Sequence, residues 1–553
     1  MAATTITLDW MNAAGRAADL RIARVTVTET LSDLYRMEVI GLLAETDSDL
    51  RGTVGVGANL LLELSSGQRR QFSGVLAEAQ MLGADDRAGG YWYRLVFMPH
   101  LHFRGLIRRS RSLLNTTATA FDTSPVPAPT FQVWDVLTAI LVNPPATVLG
   151  SARELPPSVS LRRVFSQDAS FPLLAAALQV DETDLDFLRR TAEQAGLGWW
   201  FAIEDSTCVC FSSENTDYPN VPDPMSYPPA VGGPTLTFAL DPGPTPGDGS
   251  GATDAPTLHA VGYRKRVVSQ AGHAASWDPE KPATPLVATY AGTGAGAADS
   301  FPYMGVQAQY ECGYTTAAVG NRQAMVRAQE AGAMQETLSG TGSILGFSAG
   351  YVFMLGSAEP SWLEQKYLLT AVTHEAWQSF SGSEAFLPTE RQGRESGYLN
   401  RFEAIPFSVA YRPPRRTPVP VMAGMWRATI QGGGRSGPQQ NDTSQPYLDP
   451  NGHYHVLLPF PDNNGDPAAL WAPLRLTTAF GGTTEGLHQP LRPGTNVLLA
   501  FEHGNPDRPF IVGLLPDEGQ KSPVTSNNPR QGILRSFSGI VVKFTDPKPT
   551  GSA

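Results

Sequence analysis

Five small constellations in this 553-residue chain carry residue types that could do chemistry. Ser348 stands in GFSAG (346–350), the G-x-S-x-G spacing that presents a nucleophilic serine when a strand precedes it and a helix follows. Here YVFMLG follows and reads as a strand, so the pattern places Ser348 in a turn. His100 and His102, and again His453 and His455, have H-x-H spacing in segments that read as strands. Two imidazoles on one strand face make half of a zinc site. No third and fourth ligand is identifiable beside either pair, so strand histidines near an edge are the default reading. Cys208 and Cys210 lie two apart in the strand-like TCVCF, with no second Cys or His pair nearby, and read as buried small side chains. GTGAGA (292–297) matches a loose dinucleotide fingerprint after LVATY. Pro302, however, stops any helix before a phosphate has an N-terminus to sit on. P-loop, H-E-x-x-H and zinc-finger spacings are absent. The chain is therefore assigned no catalytic residue, no cofactor, no cofactor-binding residue and no metal ligand.

The elements that must position these residues are mostly strands. ITLDW, ARVTVTETL, YRMEVIGLL, ANLLLELSS, RRQFSGVLAEAQML and YWYRLVFMPHL alternate or run apolar, broken by Gly, Asp and Ser. FRGLIRRSR then gathers Arg104, Arg108, Arg109 and Arg111, either a docking patch for an acidic partner or a solvated connecting face. VWDVLTAILV reads as a short helix. DETDLDFLRRTAEQAGLGWWF predicts a better one: Thr183 with Asp186 makes a cap, and acidic residues crowd the first turn. Leu185, Leu188, Ala192 and Ala195 share a face, and Gly196 stops the helix. WWFAIED and TCVCFSS follow as a hairpin. A further helix is predicted over 317–338, with strands at YVFMLG and KYLLTAVTHEAW. RPPRRTPVPV (412–421) reads as a stiff linker. Five short strands after it, WRATIQG, HYHVLLPF, ALWAPLRLTT, NVLLAFEHG and PFIVGLLP, suit a Greek-key barrel of the OB type.

Composition fits a many-stranded, loop-rich chain. There are 54 Gly and 46 Pro, a share well above the roughly 12% of ordinary proteins, in a chain that is 41% hydrophobic. A net charge of −11 argues against nucleic acid or an anionic membrane as the main partner. Three cysteines are too few for a disulfide scaffold. The first twenty residues lack a basic and an apolar region, and no apolar run approaches the ~18 residues of a span. Synthesis in the cytoplasm is the expectation.

Two stretches resemble the VgrG family, the trimeric spikes of type VI secretion and related contractile tails and extracellular injection particles. The first is QVDETDLDFLRRTAEQAGLGWWF. The second runs from LDPNGHYHVLLPF to PFIVG, and its part over 490–513 is similar to the family's OB signature of a Pro-x-x-Gly turn, an apolar strand and Gly-Asn-Pro-Asp-Arg-Pro. FSGVLAEAQ before YRLVFMP is a weaker echo. Read physically, Pro493-Gly494 turns the chain into a strand, and Asp507 caps backbone N–H groups. Arg508 pairs with Asp507 or a neighbouring subunit, and Pro509 starts the last strand. The family's Gly-Arg is Gly452-His453 here. SFSGIVVKFTDPKPTGSA enters the segment where the family's β-helix needle begins and then stops.

The resemblance implies a mainly β, multi-domain fold with minor α content. It divides into an N-terminal β-barrel base domain (1–160), a helix-hairpin segment with a long loop (161–260), and a second base domain (261–412). An OB-fold domain (413–518) and the truncated start of a trimeric β-helix (519–553) follow. It further implies a non-enzymatic spike or hub acting as a homotrimer. The implied partners are a hexameric inner tube protein, a PAAR-type tip, baseplate components and effector cargo, with no nucleic acid. The protein would be assembled into the particle and then secreted or delivered to a target cell. The alternatives are a serine hydrolase using the GFSAG turn and an OB-type binding module.

Overall fold

Period-two burial builds the first strands: Val25, Val27 and Glu29 point inward from Leu20–Thr30, and Ala58, Leu60, Leu62 and Leu64 from Gly57–Leu64. The computed structural model describes residues 4–10, 20–44, 53–85, 89–114, 131–141, 159–165, 170–171, 173–174, 176–225, 233–240, 256–279, 281–291, 305–310, 313–386, 396–432, 445–458 and 469–547. GTGAGA and Cys312 lie outside the described residues. The chain forms two compact units. The first comprises Met1–Arg109, Gln132–Leu174 and Asp181–Val419, and the second Ser110–Phe131, Ala175–Val180 and Pro420–Ala553.

The first unit is organised by one twelve-stranded sheet. Its main path runs Thr4–Trp10, Gly57–Leu64, Arg69–Asp85, Gly90–Met98, Arg36–Ala44, Leu20–Thr30, Lys366–Gln378, Ser396–Pro406, Glu336–Gly342, Leu258–Lys265. Two long strands each serve two barrels. In Lys366–Gln378, residues from Ala371 onward pair with Leu20–Thr30, whereas Lys366 to Leu368 pair with Val352–Gly356. Ser396–Pro406 runs beside it throughout, and its Asn400 to Ala404 also pair with Glu336–Gly342. A register shift between Leu369 and Ala371 marks the changeover, because an irregularity lets the sheet bend into a second barrel. The first barrel closes where Thr4 N–H bonds Ser396 Oγ at 3.1 Å and the Gln378 amide bonds Thr4 O at 3.1 Å. Two apolar cores result, one around Val39, Leu60, Leu95 and Phe97, the other around Phe347, Phe353, Tyr367 and Phe402.

The helices follow their caps. Asp184–Ala195 begins where Thr183 Oγ1 accepts from Asp186 N at 3.0 Å, and it ends at Gly196 in the left-handed region (φ 69°). Leu185, Leu188, Ala192 and Ala195 are buried, and so are Phe187 and Arg190. Gly198–Phe201 then pairs antiparallel with Cys208–Ser212. The helix predicted over 317–338 is Ala317–Gly332. The missing turn is lost because Glu336–Gly342 is taken as a strand between Leu258–Lys265 and Ser396–Pro406. The run containing His100 and His102 also departs from expectation. Its strand stops at Met98, and Pro99 opens the 3₁₀ helix His100–Leu106. No helix among the described residues is long and apolar enough to cross a membrane.

The second unit carries the five predicted strands, Trp426–Ile430, Tyr454–Leu458, Ala469–Leu474, Asn496–Phe501 and Pro509–Leu514. Labelled one to five in chain order, they pair 3-2-1-4-5, and a parallel bridge from Leu476 to Ile511 closes the barrel with OB connectivity. Its core includes Ile430, Tyr454, Val456, Val497, Leu499 and Ile511. Gly494 (φ 78°) makes the expected turn, its N–H bonding Ile430 O at 2.9 Å. Asp507 caps Leu178 N–H at 3.1 Å. Arg508 pairs with Glu502 at 2.9 Å. Beyond the barrel, Gln531–Arg535 and Val541–Thr545 form a hairpin.

Candidate functional site

Ser348 lies where the two barrels of the first unit meet. The residues after Glu336–Gly342 fold into a tight turn in which Tyr351 N bonds Ser348 O at 3.2 Å and Gly350 N bonds Leu369 O at 2.8 Å. Gly350 (φ 87°) is required, since a Cβ there would come within 2.7 Å of Trp200. A strand, Val352–Gly356, follows the turn as the sequence predicts, so the strand–turn–helix frame of a nucleophile elbow is absent here.

The serine is 3% exposed and sits in a buried polar network. Its hydroxyl donates to Glu29 Oε2 and accepts from Arg70 Nη2 at 3.2 Å. Arg70 Nη2 also donates to Glu29 Oε1, and Arg70 Nη1 donates to the carbonyls of Leu345 (3.3 Å) and Phe347. His374 Nε2 lies 3.2 Å from Arg70 Nη1 and 3.5 Å from Glu29 Oε1, while its Nδ1 is 2.7 Å from Tyr398 Oη. Tyr398 and Asn400 bond Ile344 O, and Gln68 holds Leu345 N and Ser343 O. The turn over 343–349 is thus fastened on both sides by side chains reaching in from the first barrel.

The electrostatics fit a structural lock. Burial alone pushes the Glu29 carboxyl up. The Arg70 guanidinium, with the hydrogen bonds from His374 and Ser348, outweighs that and holds its pKa at about 2. Burial, assisted by the nearby Arg70 charge, pushes His374 below its ordinary value and keeps the ring neutral. A nucleophilic serine needs a base to take its proton. The hydroxyl's acceptor is a carboxylate with a pKa near 2, and the imidazole bonds Arg70 and Tyr398 rather than Ser348. The cavity beside the network is about 30 Å³, room for a water and far below the ~300 Å³ of a small-molecule site. This geometry supports no hydrolase reading of Ser348.

The remaining sequence candidates separate. On a 3₁₀ helix residues two apart point to different faces, so His100 and His102 do not converge. His453 precedes its strand and bonds Asp449 Oδ2 at 2.9 Å through Nδ1, whereas His455 is buried against the Tyr447 ring at 4.3 Å. Cys208 and Cys210 are buried as expected and hydrogen-bond each other. Among the described residues no group of three or more His, Cys, Asp or Glu is placed to hold a metal ion. The arginine cluster is neither a docking patch nor a solvated face. Arg104 is buried and donates to Leu141 O at 2.9 Å, Arg109 chelates Asp184 (2.7 and 2.9 Å), and Arg111 donates to Gln179 at 2.7 Å. Only Arg108, bonded to Asp181 at 2.8 Å, is exposed.

Sequence reasoning missed the Glu29–Arg70–His374 network. Each of the three occupies an inward register position beside apolar neighbours: Val25 and Val27 for Glu29, Phe72 for Arg70, Val372 and Ala376 for His374. A charged residue in phase with a core face was the available signal.

The second feature is surface chemistry. The second unit exposes Val421, Met425, Phe480, Leu487, Leu514 and Leu515, and its hairpin adds Leu534, Phe537, Ile540, Val541, Val542 and Phe544. In the hairpin, Leu534 pairs with Val542 and Gly532 with Phe544 on one face, while Ile533 and Val541 lie on the other. A two-stranded hairpin with apolar side chains on both faces does not hold itself in water and needs cover.

The phage tail baseplate hub (GPD) family model matches residues 28–122 and 146–380, more than half of the chain. The type VI secretion system spike protein VgrG1b of Pseudomonas aeruginosa is 22% identical over 538 residues, covering 94% of this chain and 63% of its own length. The chain thus spans less than two thirds of that relative. The E. coli c3393 protein, a component of the type VI secretion system with structural similarity to the T4 tail proteins gp27 and gp5, superposes at TM-score 0.58. It is 17% identical and covers 92% of this chain and all of its own. A chain of the Francisella PdpA–VgrG complex aligns at TM-score 0.57 and 9% identity, over 99% of this chain and 76% of that one. With the barrels in place and the family model running through the first of them and into the second, the chain belongs to the phage tail baseplate hub (GPD) family and is a VgrG-like hub in sequence and fold.

Proposed function

We propose that the chain is the structural hub of a contractile injection machine, working as a homotrimer that joins an inner tube to a puncturing tip. The observation that carries this reading is the second unit's surface: twelve large apolar side chains exposed on a small barrel and a hairpin. Water disfavours that surface by roughly 25 cal/mol for each Å² left uncovered, so association of identical chains is the direct way to bury it. Three-fold assembly also suits the first unit. Two barrels per chain make six in a trimer, the number needed to face a hexameric inner tube protein. In this account the role is mechanical rather than catalytic, and sheath contraction drives tube and spike through a target membrane. A PAAR-type tip, baseplate components and effector cargo are the further partners, and the chain is delivered with the spike.

The test is a paired substitution, Leu534→Asp with Phe544→Asp, in the full chain. The wild type should be trimeric. The variant should be monomeric at micromolar concentration, with the circular dichroism of its barrels unchanged. A trimer insensitive to both charges would contradict the reading of this surface.

A further inference from the structure

The OB barrel carries an arm that is exposed along its whole length. From Thr477 to Pro490 every residue is exposed, yet the segment is pinned at both ends. At its root Thr477 N bonds Ile511 O at 2.9 Å, Ile511 N bonds Arg475 O at 2.9 Å, and Thr477 Oγ1 donates to Val512 O at 2.6 Å. At its return Leu491 N donates to Tyr454 Oη at 3.0 Å, and His488 stacks on the Tyr454 ring at 6.0 Å. Its outer part is a small hairpin, with Gly481 bridging Gly486 and Leu487 N bonding Phe480 O at 3.2 Å. That bond places Phe480 and Leu487 side by side, 58% and 43% exposed. The only formally charged residue in the arm is Glu485.

The same barrel exposes a second apolar patch. Leu514, the last residue of the strand on which the arm is rooted, and Leu515 just after it are each 50% exposed. An ordered arm ending in an apolar pair and an apolar patch left bare beside its root do not cover each other within one chain. Two different surfaces of one molecule that fit each other give a head-to-tail contact, which closes into a ring when the rotation closes. With a single charge, the arm has little to attract an ionic partner.

We infer that this arm lies on a second copy of the chain, Phe480 and Leu487 covering Leu514 and Leu515 of the partner subunit. The inference rests on the homotrimer proposed above and names one contact that holds it. The experiment is cross-linking in a Cys312→Ser background of the full chain, where Cys208 and Cys210 are buried. Phe480→Cys chains are mixed with Leu514→Cys chains under mild oxidation, and each alone is the control. A disulfide-linked dimer in the mixture only is expected. Carrying Phe480→Ser and Leu487→Ser together should raise the concentration for half-assembly about tenfold or more, the usual effect of losing central apolar anchors. A trimer that gives no mixed cross-link, and whose midpoint the double serine variant leaves unmoved, overturns the arm contact and leaves the trimer standing. A wild-type chain that is monomeric throughout overturns both.

Discussion

Replacing Arg70 by Met tests the lock between the barrels most sharply. Met keeps the apolar stem over Phe72 but removes the guanidinium, leaving Glu29 buried without its cation. The structure sets the scale in two ways. Holding the Glu29 carboxyl at about 2, against 4.5 for an ordinary carboxyl, corresponds to about 3 kcal/mol of stability at neutral pH. Breaking a buried ion pair by removing one partner costs about 3–5 kcal/mol. Arg70→Met should therefore destabilise the first unit by about 3–5 kcal/mol. The double variant Arg70→Met/Glu29→Gln should recover about 2 kcal/mol of that, because an uncharged amide no longer needs a cation. Urea unfolding followed by tryptophan fluorescence is a suitable assay, since Trp200 lines the cavity beside the network. A single-variant loss below about 1 kcal/mol, or strict additivity in the double, would refute the claim that this pair holds the turn.

Three further outcomes follow from the same structure. Ser348→Ala should cost about 1–2 kcal/mol by leaving Glu29 a donor short, with no change in turnover of a generic ester such as a p-nitrophenyl acetate. Ester hydrolysis abolished by that change would reinstate the serine as a nucleophile. Gly196→Ala should destabilise by about 1–2 kcal/mol or more in thermal unfolding: φ is 69°, and the new methyl meets Val326 at 2.7 Å. A neutral result would mean the helix end rearranges freely. Stability should also fall in two stages on acidification. His374 is held neutral in the fold, so below its ordinary 6.5 the unfolded chain gains a proton that the folded chain does not. Glu29 contributes fully above 4.5, and its contribution is lost as pH falls toward 2. A flat pH profile of the unfolding midpoint between 7 and 4 would count against the His374 assignment.

Local signals were legible where local physics decides. Thr183, Gly196 and the apolar face between them define a helix before any tertiary contact forms, and the five strands of the OB barrel each carry their own turn residues. Where pairing partners are distant, the sequence misled. The Ala- and Gln-rich segment after Thr316 reads as helical past Gly332, but Glu336 to Gly342 gains two strand neighbours, Leu258–Lys265 and Ser396–Pro406, and pairing overrides propensity. His100 and His102 read as strand residues because the apolar alternation before them is strong, and Pro99 ends it. The buried network was invisible as a unit because Glu29, Arg70 and His374 come from strands far apart in sequence that meet only when the sheet curls. The arm went unread for a different reason: glycines and threonines around Phe480 and Leu487 look like any loop, and only its two pinned ends distinguish it.

Light scattering across a concentration series gives the solution mass on which the trimeric hub stands or falls. A species of three 59.3 kDa chains that persists to low micromolar concentration is expected. A monomer at every concentration would contradict it.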